Sequence, residues 1–150
     1  MGYIQENMSS QEEIIYQTNL SKIVFLTPFL ISSCSLIVGY VFVDKPLILS
    51  VGILFAILPL LKAWTKYISS EFGVTDRRVI IKTGFFSTKS LEIQLNKIES
   101  IMVLQNLSEK IINCGTIVLS GTGGTKDAFQ RIAYPFEFKK MIENQIDFLS

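Results

Sequence analysis

Four basic residues carry the clearest binding chemistry in this sequence. Arg77 and Arg78 are adjacent, and guanidinium groups donate several hydrogen bonds to phosphate oxygens. Lys82 and Lys89 follow closely and can add charge to the same site. Because each basic residue contributes about 1 kcal/mol near an anionic lipid surface, the group predicts a contact with lipid headgroups. The opposing interpretation is a turn in which Asp76 accepts backbone hydrogen bonds and pairs with an arginine.

Other reactive residue types do not form a catalytic or metal-binding set. The sequence has no histidine, which removes the commonest general base and metal ligand. Cys114 has no neighbour in sequence that would activate its thiol, and Cys34 lies in an apolar run. Residues 121–126 contain several glycines but lack the spacing of a phosphate-binding loop. We therefore expect no enzyme, no catalytic residue, no cofactor and no metal site.

Two apolar stretches predict helices that cross a membrane. Residues 23–43 and 46–61 contain no charged side chain. A helix of about 20 residues spans the hydrocarbon core of a bilayer, and Lys62 can snorkel, so the second span extends to about residue 65. The two-residue link at 44–45 predicts a tight antiparallel hairpin. The alternative is a pair of buried core helices, but a small domain cannot easily enclose two helices that are apolar on every face.

Basic residues also predict the orientation of this hairpin. Lysines and arginines follow the second span, so the positive-inside rule places the C-terminal part in the cytoplasm. With two spans, the N-terminus lies on the same side. The absence of ionisable residues within the spans argues against a transport role. The expected interface anchors are Lys22, Lys62, Trp64, Lys66 and Tyr67.

The remaining sequence predicts short strands followed by one helix. Residues 91–95 alternate apolar and polar side chains, which is typical of a half-buried strand. Apolar residues recur with helical spacing in the last segment, namely Phe138, Met141, Ile142, Ile146 and Leu149. We expect an antiparallel sheet, curled or closed into a barrel, with this helix across its open end. Residues 14–18 have strand propensity, and whether they add an edge strand is open.

These elements give three predicted parts. Residues 1–22 are a cytoplasmic tail that can contribute an edge strand, 23–66 are the transmembrane hairpin, and 70–150 are the cytoplasmic domain. The net charge of +1 argues against a nucleic-acid partner.

Short motifs in the cytoplasmic part match those of a known family. They are residues 72–80 (FGVTDRRVI), Gly84, residues 95–98 (LNKI), 114–116 (CGT) and 121–124 (GTGG), and Pro135. With these motifs the chain resembles the bacterial PH-domain membrane proteins, a pleckstrin-homology-like family formerly listed as a domain of unknown function. The resemblance implies an α+β membrane protein, in which a PH-like antiparallel β-barrel or sandwich follows the hairpin and is capped by a C-terminal helix. Together with the two predicted spans, we expect a multi-pass protein of the bacterial inner (cytoplasmic) membrane. The resemblance implies no activity, because a fold does not settle function.

The function expected from these features is a non-catalytic binding and assembly module at the cytoplasmic membrane face. Its expected partners are membrane lipids together with a second copy of itself or another membrane or cytoplasmic protein. The alternative function is a sensor of anionic lipid headgroups through the basic turn at residues 77–78.

Overall fold

The computed structural model describes residues 4–5, 12–42, 44–85 and 88–149. The chain divides into two compact units. Residues 22–68 form a helical unit, and residues 1–21 together with 69–150 form a β-rich unit. The helical unit is therefore an insertion between two segments of the β-rich unit.

The helical unit is a pair of helices in contact along their length. A 3₁₀ turn at Lys22–Phe25 leads into α1 (Leu26–Val41), and α2 follows at Pro46–Ile68. The Ser32 hydroxyl donates a hydrogen bond of 2.7 Å to the carbonyl oxygen of Ala56. A Cβ at Gly52 would lie 3.4 Å from the Cα of Gly39, so the two glycines allow the helix backbones to approach closely.

Both helices expose apolar side chains to their surroundings. The exposed set includes Phe29, Leu30, Ile37, Leu47, Leu54 and Phe55. By length and composition, the segments Lys22–Val41 and Pro46–Ile68 are two helices that could cross a membrane. The second helix continues three residues past the end predicted at residue 65.

In the part of the chain that the structure describes, the β-rich unit contains two antiparallel sheets, with helices between and after their strands. The first sheet has the order β1-β2-β3-β4 and the second has the order β5-β6-β7. The strands are β1 (Ile14–Asn19), β2 (Glu71–Thr75), β3 (Arg78–Thr83), β4 (Lys89–Gln94), β5 (Ile98–Leu104), β6 (Cys114–Gly121) and β7 (Lys126–Ala133). The helices are α3 (Leu107–Ile111) and α4 (Pro135–Leu149), and a 3₁₀ turn lies at Leu95–Lys97. This is the α+β architecture with antiparallel sheets and a C-terminal helix that the sequence predicts.

The segment left open by the sequence is β1, and it joins both sheets. Asn19 pairs with Glu71 of β2. Just beyond the strand, Leu20 forms an isolated antiparallel bridge with Ile132 of β7. The N–H of Ser21 then donates a 2.7 Å hydrogen bond to the Arg131 carbonyl oxygen. The chain therefore leaves for the helical unit from the junction of the two sheets.

An aromatic core lies between the sheets and α4. Phe72 is fully buried, and its ring meets the rings of Phe129 and Phe138 edge-on, with centroids 6.4 Å apart in both pairs. Ile142 is also fully buried. The predicted apolar stripe of α4 is therefore directed into the core over its first turns, whereas Leu149 at its end is exposed.

Candidate functional site

A partly buried ion-pair cluster lies beside the turn between β2 and β3. We call it the Glu12 cluster, and it consists of Glu12, Thr75, Arg78 and Glu92. The Glu12 side chain is only 2% exposed. Arg78 donates from Nε to Glu12 Oε1 at 2.8 Å and from Nη2 to Oε2 at 2.7 Å, which is a bidentate pair. Its Nη1 donates to Glu92 Oε2 at 2.6 Å.

Backbone and hydroxyl groups tie this cluster to the turn itself. The Thr75 hydroxyl lies 2.7 Å from Glu12 Oε1 and accepts a 3.1 Å hydrogen bond from the Arg78 N–H. Asp76 accepts a 3.3 Å hydrogen bond from the Glu13 N–H. The segment before β1 is thus fastened to the turn more than 60 residues away in sequence. The hydrogen bond to Glu12 raises the pKa of the Arg78 guanidinium, so the guanidinium stays charged.

The two arginines of the predicted headgroup site have different surroundings. Arg78 donates from Nε, Nη1 and Nη2 to carboxylates, so three of its five N–H donors are engaged within the cluster. The Arg77 side chain is 61% exposed, and its Nε lies 3.5 Å from Asp76 Oδ2. Asp76 has an arginine partner, as in the turn interpretation, but the backbone N–H that it accepts from belongs to Glu13 and not to the turn.

The four basic residues are divided between two ends of the first sheet. Lys82 lies opposite Glu71, and it is separated from Arg78 by four residues of β3, or roughly 13 Å. Lys89 pairs with Thr83 at the same end. Its Nζ lies 2.6 Å from Asp127 Oδ1 and 5.1 Å from the centroid of the Phe129 ring. The arginines lie at the far end of β2 from Ser70, the residue that precedes this strand.

Two of the predicted interface anchors, Trp64 and Tyr67, form an aromatic group with Phe25 at the open end of the hairpin. The Phe25 ring centroid lies 6.3 Å from that of Trp64 and 5.5 Å from that of Tyr67. Lys22 and Lys62 are exposed, as is Lys66. The sequence reasoning did not identify Phe25. Its place at the start of the first apolar run, across the hairpin from two aromatics, is the signal that would have found it.

An apolar outer face on the second sheet is a further feature that sequence reasoning missed. Met102 pairs with Val118, which in turn pairs with Ala128, so these three side chains form a row across β5, β6 and β7. Met102 is 56% exposed and Leu104, two residues further along the same face, is 51% exposed. The signal was the continuous apolar run at residues 101–104. Beside the apolar row, Ser100 pairs with Ser120, which pairs with Lys126, so a polar row follows it on the same face.

Among the described residues, the two cysteines form no disulfide with each other. Burial raises the pKa of the Cys114 thiol, and a hydrogen bond with the Ser21 side chain only partly opposes this. Cys34 is exposed and both thiols are free. Within the described ranges, no group of three or more His, Cys, Asp or Glu residues could hold a metal ion.

Comparison with known proteins gives a match to a family model and similarity to solved structures. The family model described as bacterial PH domain matches residues 23–146. A crystal structure of a DUF1696 family protein with a pleckstrin-homology domain, from Shewanella loihica PV-4, aligns with a TM-score of 0.48 and 9% sequence identity. The alignment covers 95% of this chain and 89% of that one. No curated protein matches.

Removing the arginine of the Glu12 cluster should strongly destabilise the protein. Arg78→Ala leaves the buried Glu12 carboxylate without its bidentate partner, and breaking a buried ion pair costs about 3–5 kcal/mol. We expect the free energy of unfolding, measured by denaturant titration of the full chain in mild detergent, to fall by about this amount. Arg77→Ala is the matched control and should change it by less than about 0.5 kcal/mol. Equal effects of the two substitutions would contradict a structural role specific to Arg78.

Proposed function

Because the chain belongs to the bacterial PH domain family, we propose that it is a membrane-anchored, non-catalytic binding and assembly module. The resemblance predicted from its sequence motifs is thereby confirmed. PH domains are in general binding modules without catalytic activity, and they commonly bind lipids or proteins. The two parts of the proposal, the anchor and the binding surface, are supported by different observations.

The anchor is supported by the surface of the helical unit. Leaving a Leu, Ile or Phe side chain in water rather than buried costs about 1.5–3 kcal/mol, and α1 and α2 expose many of them. In a bilayer this cost is absent, because lipid acyl chains surround the exposed faces of the two helices. The chain would then cross the membrane twice. The lysines and arginines after α2 predict that the β-rich unit lies on the cytoplasmic side. Lys22, Lys62, Trp64, Lys66 and Tyr67 would then lie at the interface.

Membrane extraction tests the anchor. The full chain, expressed in a bacterium, should remain in the pellet after an alkaline carbonate wash and be released by detergent. Leu30→Asp with Leu54→Asp should reduce the pelleted fraction, because an aspartate within a span opposes insertion by about 2.5–3.5 kcal/mol. Thr122→Asp with Thr125→Asp adds the same charge to the exposed turn between β6 and β7 and should leave the fraction unchanged. A wild-type chain in the detergent-free supernatant would contradict the anchor.

The apolar outer face of the second sheet is the observation that carries the binding role. An antiparallel sheet with one face on the core commonly presents polar side chains on the other. The row Met102, Val118 and Ala128 is apolar instead, and Leu104 extends it. Interface cores are depleted of charged residues and enriched in methionine, which fits this row. We propose that this face binds protein, with a second copy of the chain as the first partner to test.

Mass measurement in mild detergent tests this binding face. The wild-type chain should form a defined oligomer by native mass spectrometry, or retain one defined partner from its native membrane. Met102→Lys with Ala128→Lys should weaken the assembly at least tenfold, because it buries two unpaired charges. Thr122→Lys with Thr125→Lys is the charge-matched control and should assemble normally. The face would be excluded by a wild-type monomer that retains nothing, or by a lysine variant that assembles like the wild type.

Contact with anionic headgroups is the second candidate function, and the exposure of Arg77 favours it. Arg77→Ala should weaken binding of phosphatidylglycerol to the full chain in neutral detergent about fivefold, the equivalent of about 1 kcal/mol. Added salt should weaken the wild-type interaction in the same way. Native mass spectrometry of bound phosphatidylglycerol against phosphatidylcholine measures this, with Lys126→Ala as the control. Equal retention by the wild type and Arg77→Ala would exclude the headgroup role.

A further inference from the structure

A short helix between β5 and β6 displays aliphatic side chains to solvent. Leu107 is 84% exposed and Ile111 is 86% exposed, and they lie one helical turn apart on the same side of α3. Ile112 follows and is about half exposed. Tyr134 adjoins this segment, because its N–H donates a 2.9 Å hydrogen bond to the Asn113 carbonyl oxygen. We refer to Leu107, Ile111, Ile112 and Tyr134 as the α3 patch.

The helix that carries this patch is fixed in place by its own sequence. Asn106 and Glu109 form a capping box, in which the Asn106 N–H donates to Glu109 Oε2 at 2.9 Å. None of the residues of α3 is buried. The capping box therefore stabilises the helical conformation of α3, although the apolar side chains of this helix are not packed in the core.

The patch lies close to the point where the chain leaves for the helical unit. Cys114 follows Asn113 directly, and its thiol is hydrogen-bonded to the Ser21 side chain. The Ser21 N–H also binds the carbonyl oxygen of Arg131 at 2.7 Å. Lys22, the first residue of the helical unit, is the next residue in the chain. The α3 patch and the covalent attachment of the apolar helices are therefore neighbours on the β-rich unit.

We propose that the α3 patch enters the interfacial layer of the membrane that holds α1 and α2, with Leu107 and Ile111 in contact with acyl chains. This inference rests on the proposed membrane anchor. The composition of the α3 patch suits that layer, because tyrosine is enriched at membrane interfaces. The exposed Lys110 can also extend its ammonium group towards headgroups.

The position of the patch favours lipid over a protein partner. A bilayer surface is always present beside the residues that connect to the anchor, so the contact is intramolecular in effect and needs little area. Insertion of a few aliphatic side chains into the acyl boundary is how interfacial helices bind membranes.

Fluorescence quenching by brominated acyl chains tests the inference on the full chain in nanodiscs. The sequence contains one tryptophan, Trp64, so the wild type reports on the hairpin. Trp64→Phe with Ile111→Trp reports on the α3 patch, and Trp64→Phe with Arg77→Trp reports on the exposed turn at the far end of β2. We expect at least twofold quenching for the wild type and for the Ile111→Trp variant, and none for the Arg77→Trp variant. Adding Leu107→Asp should reduce the quenching at position 111.

The possible results separate this inference from the anchor itself. Quenching of Trp64 without quenching at position 111 overturns the inference and leaves the anchor intact. Quenching at position 77 instead of 111 also overturns it, because the opposite end of the first sheet then meets the lipid. An unquenched tryptophan at position 111 whose emission depends on the number of chains per nanodisc assigns the patch to a second copy, which overturns the lipid contact. Absence of quenching at every position overturns both the inference and the anchor.

Discussion

The pairing of β1 with β2 is the constraint on which the rest of the structure depends. Asn19 and Glu71 are partners in the ladder, yet the whole helical unit lies between them in sequence. β1 and β2 can pair only when the two ends of the hairpin lie next to each other. The entropic cost of closing a loop grows slowly with its length, by about 0.6 kcal/mol for each doubling, so the long insertion is tolerable once its own helices have formed. The sheet in turn holds the two connections side by side.

The Glu12 cluster complements this pairing at the opposite end of the strands. A buried carboxylate is unfavourable by itself, and the bidentate guanidinium of Arg78 compensates for its loss of hydration. Because the partners come from the segment before β1 and from β3, the cluster fastens the first strand at its start, while Leu20 and Ser21 fasten it at its end. An edge strand held at both ends is less able to slip in register, which matters because a one-residue slip would turn every side chain to the other face.

Local pattern explains what the sequence could predict. The apolar runs, the alternation in β4 and the helical spacing of Phe138 and Ile142 all depend on neighbours along the chain, so these elements were predictable. The pairing of Asp76 with an arginine was also foreseeable, because the two are adjacent. The partner of Arg78, in contrast, is 66 residues away, and no spacing rule connects it to Glu12. The apolar row on the outer face of the second sheet could not be predicted for a related reason. Only the register of three strands shows that Met102 and Ala128 flank the same Val118.

Placing the hairpin between the first two strands has a consequence for the order of biosynthesis. A ribosome makes β1 first, then both apolar helices, and only afterwards the strand with which β1 pairs. Throughout that interval β1 presents unpaired backbone groups, the kind of exposed edge that favours misassociation in nascent chains. The β-rich unit therefore cannot begin to fold from its N-terminal strand. Its folding has to await the emergence of residues beyond position 70, by which time both apolar helices have already been synthesised.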